Sequence, residues 1–275
     1  MRLEVVLPNE SAAVAPERIA ELAVSAERLG YDTVWLPDHV LPPEPYGPER
    51  YGGVYEPLTM LSYVAARTTR IRLGTSVLAM PMRNPFVVAK QVATLSRLAP
   101  GRVVLGVGIG WDAVEFASVG ADFAGRAAYT EGAITLLRHL FTTGSGPFSG
   151  ERFGFHRGVF EPVPADQVPI MVGGVSDAAL RRAARLADEW QAVGLTAANF
   201  AERVSRLRAY GGQGVIVGSR IEWADEHRDR TAEVASWQAA GADRLAVWFG
   251  AFEGFEHRMS AFARRPPDRH PGPVP

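Results

Sequence analysis

Residues 71–111 read IRLGTSVLAMPMRNPFVVAKQVATLSRLAPGRVVLGVGIGW, and this stretch decides the fold. A largely apolar, β-branched run at 71–78 is followed by apolar residues at helical spacing over 86–97, and then by a second apolar run at 102–108. Near-continuous apolar strands joined by a helix indicate a parallel sheet that is buried on both faces.

The same alternation continues through the chain and predicts eight strand–helix units in order. The predicted strands are 2–7, 32–36, 71–78, 102–108, 168–172, 189–193, 214–221 and 243–249. The predicted helices are 16–29, 57–67, 86–97, 126–141, 177–187, 197–209, 230–240 and 254–264. Eight such units in about 250 residues predict a closed α/β (β/α)8 TIM barrel, and a doubly wound open sheet is the structural alternative.

The predicted elements also set the expected domain boundaries. We expect one barrel domain over 1–265 and a Pro-rich C-terminal tail over 266–275. Two insertions interrupt the alternation, a Pro-, Tyr- and Gly-rich loop at 41–55 and a segment at 142–167. Function in such barrels lies at the C-terminal ends of the strands, so we expect insertion loops at that face and interpret the first as a lid.

Composition excludes several classes of function. The 275 residues carry a net charge of −1, with scattered basic side chains, which gives no support to nucleic-acid binding. The chain has no cysteine, which excludes thiol catalysis and thiolate metal sites, and its six histidines lack metal-ligand spacing. No apolar run reaches the roughly 18 residues of a membrane span. We therefore expect a cytoplasmic protein that binds neither metal nor membrane.

The glycines after the fourth predicted strand do not form a classical dinucleotide loop. That fingerprint needs Gly-x-Gly-x-x-Gly, but the third glycine falls on Trp111 when counted from Gly106 and on Ala113 when counted from Gly108. At the end of a barrel strand, Gly108 and Gly110 are instead expected to let a ligand approach the backbone closely.

A second glycine pair precedes the helix at 177–187. The turn Gly173-Gly174-Val175-Ser176 leads into that helix, and the unpaired amides of a helix N-terminus form an anion site for which phosphate is the natural ligand. A simple turn with a serine N-cap is an equally open interpretation of this motif.

His39 ends the second predicted strand. An unperturbed imidazole has a pKa of about 6.5 and is well suited to exchange a proton near neutral pH. A purely structural histidine remains the alternative. Neighbouring residues of a strand point to opposite faces, so Asp38 orients His39 only if the chain turns there.

Three blocks carry a family resemblance. They are YDTVWLPDHV at 31–40, the stretch from 68 to 116 that includes GTSV and VGIGWDAVEF, and VPIMVGGVSDAALRRAARLADEWQ at 168–191. Together they resemble the bacterial-luciferase-like superfamily of (β/α)8 oxidoreductases, and within it the branch that uses the deazaflavin coenzyme F420. The resemblance extends from the first strand to about residue 193.

The resemblance implies roles for matched positions. It places His39 beside the deazaflavin and the substrate. The GTSV segment, with Thr75, Ser76 and Val77, would lie behind the cofactor ring, with a non-proline cis peptide between Ser76 and Val77. Gly108, Gly110 and the adjacent Trp111 would bind the cofactor, and the turn formed by Gly173, Gly174, Val175 and Ser176 would hold its chain and phosphate.

One position departs from the family pattern. Some sugar-phosphate dehydrogenases of the F420 branch have a glutamate as proton partner where this chain has Trp111. The nearest carboxylates are Asp112 and Glu115. The catalytic candidates are therefore His39, Asp38 and Glu115, and the tryptophan favours an apolar, planar substrate over a sugar phosphate.

The leading functional hypothesis is an F420-dependent oxidoreductase that transfers a hydride between the deazaflavin and a small organic substrate. A reduced-FMN-dependent monooxygenase, with FMN as the cofactor, is the first alternative, and a non-catalytic flavin- or deazaflavin-binding protein is the second. A homodimer or a larger homo-oligomer is expected.

Overall fold

Parallel strand pairing closes a barrel in the computed structural model, which describes residues 1–9, 14–42, 55–225 and 227–263. The strands are β1 (Arg2–Val6), β2 (Thr33–Leu36), β3 (Arg72–Thr75), β4 (Leu78–Ala79), β5 (Val103–Gly108), β6 (Phe148–Ser149), β7 (Gly154–Phe155), β8 (Ile170–Gly173), β9 (Glu189–Val193), β10 (Ile216–Glu222) and β11 (Arg244–Trp248). The helices are α1 (Pro16–Arg28), α2 (Pro57–Arg67), α3 (Pro85–Leu98), α4 (Ala113–Ser118), α5 (Arg126–Thr143), α6 (Asp177–Leu186), α7 (Ala197–Ala209), α8 (Arg230–Ala239) and α9 (Phe255–Ala263).

The order of the strands confirms the predicted barrel. They run β3-β2-β1-β11-β10-β9-β8-β5-β4, and a further pairing of β3 with β5 closes the ring. β3 and β4 share one position, because β4 pairs with β5 beyond the point where β3 ends. The ring thus has eight strand positions, all paired in parallel, and the open-sheet alternative is wrong.

Local sequence signals explain where several helices begin. Asn84 accepts hydrogen bonds from the backbone of Phe86 and Val87 at the start of α3, which has a proline in its first turn. Asp112 caps α4 in the same way. α4 is absent from the elements predicted above, because six residues are too few to show a helical period.

The inside of the barrel combines a small apolar cluster with buried charge. Val6, Trp35, Val104, Met171 and Ala246 form the apolar cluster. Among them lies the guanidinium of Arg244, which pairs with Glu4 at 2.9 Å and with Glu189 at 3.0 Å. All three side chains are at most 1% exposed, so each charge depends on its partners rather than on water.

The second insertion is described in full, the first only at its ends, and the tail not at all. In the segment 142–167, β6 and β7 form an antiparallel hairpin, and Phe153 from its turn contacts Tyr129 of α5. Most of the loop interpreted as a lid, and the predicted tail at 266–275, lie outside the described residues, so both stay predictions. No helix among the described residues is long and apolar enough to cross a membrane.

Candidate functional site

A cleft of about 1390 Å³ opens at the C-terminal ends of the barrel strands. This is the face where barrel enzymes carry their sites, and the volume exceeds the roughly 300–1,000 Å³ of ordinary small-molecule pockets. Its described lining includes Asp38, His39, Ser76, Val77, Gly108, Ile109, Gly110, Trp111, Glu115, Gly173, Gly174, Val175, Gln191, Arg220, Arg228, Trp237 and Trp248. The cleft therefore collects most of the site residues predicted from the sequence.

His39 and Glu115 form a buried pair in this cleft. The His39 Nδ1 lies 3.0 Å from the Glu115 Oε2, and their side chains are 11% and 3% exposed. The second carboxylate oxygen of Glu115 accepts hydrogen bonds from the backbone N–H groups of Val40 at 2.6 Å and Leu41 at 2.9 Å. Glu115 thus fixes both the His39 ring and the chain that follows it.

The surroundings of Glu115 keep it ionised. Burial raises the pKa of Glu115, but hydrogen bonds from the His39 ring and from the Leu41 and Val40 backbone outweigh burial and leave the pKa below its usual value. An ionised carboxylate can only accept hydrogen bonds, so the Nδ1 of His39 must carry a proton. In the neutral ring, Nε2 is then the atom that accepts a proton.

Asp38 contacts the backbone of Ala79 and the side chain of Arg83, and it makes no hydrogen bond to the neighbouring His39 among those described. Its carboxylate accepts a hydrogen bond from the backbone of Ala79 at 2.9 Å and pairs with Arg83, and its side chain is fully buried. Arg83 also lies 3.3 Å from Glu56 at the start of α2. Asp38 therefore ties the end of β2 to the segment that follows β4.

The side chain of Val77 explains why Gly108 and Gly173 are glycines. The peptide bond between Ser76 and Val77 is cis, as the resemblance implies. A Cβ at Gly108 would lie 2.5 Å from the Val77 side chain, and a Cβ at Gly173 would lie 2.9 Å from it. Gly108 was expected to leave room for a ligand, but the space beside it is filled by Val77, which packs between β5 and β8.

The turn before α6 is built around Gly174. This residue has φ +123, a conformation that favours glycine, and a Cβ there would lie 2.9 Å from Ala179. Its carbonyl accepts a hydrogen bond from Trp190 at 2.8 Å. Ser176 caps α6 by accepting from the Ala179 backbone at 3.2 Å, and it is exposed and outside the described lining of the cleft.

Charged side chains of both signs line the side of the cleft opposite His39, namely Arg220, Glu222, Arg228 and Glu233. Arg220 is on β10, and Arg228 follows it; β10 is three strand positions from β2 in one direction and three from β5 in the other. Arg228 pairs with Glu233 of α8 at 2.6 Å. The cleft therefore has a His39–Glu115 end and an arginine end.

The sequence profile of a family described as luciferase-like monooxygenase matches residues 1–264. The chain belongs to this family. The predicted superfamily resemblance is thereby confirmed.

Relatives of this luciferase-like chain include the F420-dependent glucose-6-phosphate dehydrogenase of Kineococcus radiotolerans, 37% identical over 180 residues that cover 63% of this chain and 51% of the relative. The enzyme of the same name from Nakamurella multipartita is 38% identical over 178 residues, with the same coverage. An uncharacterised protein of Mycobacterium tuberculosis is 37% identical over 181 residues, or 62% of each chain. The chain spans about half the length of these two dehydrogenases.

Solved structures share the fold. An F420-dependent secondary alcohol dehydrogenase in complex with an F420-acetone adduct has a TM-score of 0.82 and 18% identity, and the match covers 95% of this chain and 97% of that chain. The F420-dependent tetrahydromethanopterin reductase from Methanopyrus kandleri has a TM-score of 0.78 and 15% identity, with 96% and 97% covered. At these identities the likeness shows the barrel fold.

Not every predicted site residue of this luciferase-like chain lies in the cleft. Thr75 is buried, and its hydroxyl donates to the carbonyl of Gly106 at 2.7 Å, between β3 and β5. Asp112 binds the Val114 and Glu115 backbone N–H groups as a helix cap. Of the two carboxylates left open by the sequence, Glu115 is thus the one that reaches His39.

Several residues that line the cleft were not predicted from the sequence, among them Gln191, Arg220, Arg228 and Trp237. Three of these four lie beyond residue 193, where the resemblance is weak. Gln191 lies within the third resembling block, on β9. A polar side chain in a buried barrel strand was the available signal for it.

Proposed function

We propose that this chain is an F420-dependent oxidoreductase that acts on a small organic substrate. The observation that carries the proposal is the His39–Glu115 pair at the mouth of the cleft, a fixed proton carrier at the face where barrel enzymes react. The F420-dependent names of the relatives support the choice of cofactor.

The donors of the cleft fit such a cofactor. F420 is a deazaflavin whose tail carries a phosphodiester and carboxylates. Arg220 and Arg228 supply guanidinium donors at one end of the cleft, beside Glu222 and Glu233, and the turn at Gly174 brings backbone close to the lining. Ser76 and Gln191 add polar groups between those ends. We assign the tail to the arginine end, which leaves the ring for the His39 end.

When bound, the deazaflavin supplies hydride transfer at its C5. The chain supplies position and a proton. Because Glu115 holds the proton on the Nδ1 of His39, the Nε2 can take a proton from a substrate hydroxyl or, when the ring is charged, return one to a carbonyl oxygen. In this scheme Glu115 and Asp38 are positioning residues, and His39 is the catalytic residue.

A titration with each oxidised cofactor tests the proposal. We expect F420 to bind at micromolar concentration or below and FMN to bind much more weakly. His39→Ala should keep F420 affinity within a few fold, while turnover falls by roughly 10²–10⁴, the usual contribution of general acid–base catalysis. Purification with stoichiometric FMN would instead favour the monooxygenase alternative, and unchanged turnover in His39→Ala would remove this residue from the mechanism.

A further inference from the structure

The part of the cleft next to His39 has apolar walls. Ala79, Met82, Ile109 and Trp111 line the cleft on the side of β2, β4 and β5, and we call this set the apolar wall. Trp111 contacts the His39 ring edge to face, with the ring centres 6.0 Å apart, and is still 51% exposed. A molecule that approaches His39 through the cleft therefore meets an indole surface.

The backbone around Trp111 is held in place. Gly110 has φ +70, and the ring of Phe116 lies where its Cβ would be, so the chain turns sharply just before Trp111. Just after it, Asp112 caps α4. The backbone is thus held on both sides of Trp111, which favours a fixed place for its side chain in the apolar wall.

The charges at this end of the cleft disfavour an anionic substrate. Asp38 and Glu115 are the described carboxylates beside His39. The nearby cation Arg83 is already paired with Asp38 and Glu56, so its charge is neutralised by those carboxylates. The arginines of the described lining, Arg220 and Arg228, lie across the barrel. While His39 is neutral, a phosphate placed near it would lose water without gaining a positive partner among these residues.

We infer that the substrate is an uncharged, largely apolar molecule that presents one hydroxyl or carbonyl oxygen to His39, with Trp111 as the residue that sets this specificity. The inference rests on the proposed function, because it takes the arginine end of the cleft as the place of the cofactor tail. It separates this chain from relatives whose names give a sugar phosphate as substrate.

Direct binding measurements test the inference without relying on turnover. The probes are 1-phenylethanol and glucose 6-phosphate, titrated by calorimetry and by saturation-transfer NMR into the protein with and without F420. We expect 1-phenylethanol to bind and glucose 6-phosphate not to. Trp111→Ala should weaken 1-phenylethanol binding roughly 10-fold, since it removes an aromatic surface next to the ligand, and Trp111→Phe should restore most of the loss.

Val159→Ala is the matched control, because Val159 is 76% exposed and is not part of the cleft lining. It should leave both titrations unchanged. F420 affinity is measured on the same preparations. If F420 fails to bind the wild type, the proposed function is wrong. If F420 binds but glucose 6-phosphate binds more tightly than 1-phenylethanol, or Trp111→Ala leaves 1-phenylethanol binding unchanged, the inference about the substrate is wrong while the proposed function stands.

Discussion

Glu115→Gln removes the negative charge of Glu115 while keeping nearly the same side-chain shape. The amide oxygen can still accept the hydrogen bonds that Val40 and Leu41 now give to one carboxylate oxygen. The NH2 group would then face the Nδ1 of His39, at the position now held by the other oxygen at 3.0 Å. An amide NH2 only donates, so the neutral ring must accept at Nδ1 and carry its proton on Nε2. We expect the substitution to reverse the tautomer of His39.

Glu115→Gln should lower the free energy of unfolding, because three hydrogen bonds to a charged carboxylate become hydrogen bonds with a neutral amide. A hydrogen bond to a charged group contributes about 1.5–3 kcal/mol and a neutral one about 0.5–1.5 kcal/mol, while the variant no longer buries a charge. The net loss should be about 1–3 kcal/mol at pH 7. Because the pKa of Glu115 is lower in the folded protein than in the unfolded chain, its stabilisation is present above the unfolded value and disappears as the pH falls through the folded one. The two proteins should therefore converge in stability in acid.

Long-range ¹H–¹⁵N spectra of histidine-labelled protein report the tautomer directly, and His39→Ala assigns the signal among the six histidines. Denaturant unfolding between about pH 3 and pH 7 gives the free energies. In the wild type we expect the neutral ring to be protonated on Nδ1, and in Glu115→Gln on Nε2. The same Nδ1-protonated tautomer in both proteins would refute the reasoning, and so would a stability difference that does not shrink in acid.

Two further predictions concern the α6 turn and the barrel interior. Gly174→Ala and Gly174→Asp both place a side chain at a positive φ, which costs roughly 1–3 kcal/mol of strain. Aspartate also adds a negative charge, which interacts favourably with the N-terminus of α6 but repels a phosphate. Gly174→Asp should therefore melt no lower than Gly174→Ala yet bind F420 about 10-fold more weakly, and equal affinity would remove the cofactor tail from this turn. Arg244→Met removes the guanidinium that pairs with Glu4 and Glu189, so that among the described residues Glu4 keeps only its bond from Trp35 and Glu189 keeps only Arg72. The substitution should cost about 3–5 kcal/mol in denaturant unfolding at pH 7. The exposed Arg18, paired with Glu21, gives the control Arg18→Met, which should melt like the wild type; an equally small effect of Arg244→Met would contradict the charge assignment.

The barrel was predictable because its signal repeats. Each strand is an apolar run, and each is followed by a helix whose apolar residues recur every three or four positions. Eight such units in order are compatible with few folds. Short elements lack that repetition. The two-residue strand β4 is held by a hydrogen bond from the Ala79 backbone to Asp38, which is 41 positions away in the sequence. The six-residue helix α4 has a local cap, in which the Val114 backbone donates to Asp112, but it is too short to show a helical period.

The candidate site was predictable at residues whose side-chain chemistry and place at the end of a strand both indicate a ligand-binding role. His39 and Trp111 fall into this class, and both line the cleft. The choice between Asp112 and Glu115 stayed open because their spacing, an acidic residue followed three positions later by glutamate, also fits a capping motif. In the structure Asp112 caps the helix, while the side chain of Glu115 reaches His39 in the segment after β2. That contact joins residues 76 positions apart in the sequence, which no local pattern encodes.

The buried charges of the barrel also determine what Ser76 offers to the cleft. A guanidinium only donates, so the amide oxygen of Gln191 must face Arg244, at 3.3 Å. The amide nitrogen of Gln191 then donates to the Ser76 hydroxyl at 3.0 Å. Since that hydroxyl oxygen already accepts a bond, its own proton is left to donate elsewhere, and Ser76 lines the cleft. The contact of Gln191 with Arg244 thus leaves the Ser76 proton for an acceptor on a ligand beside it.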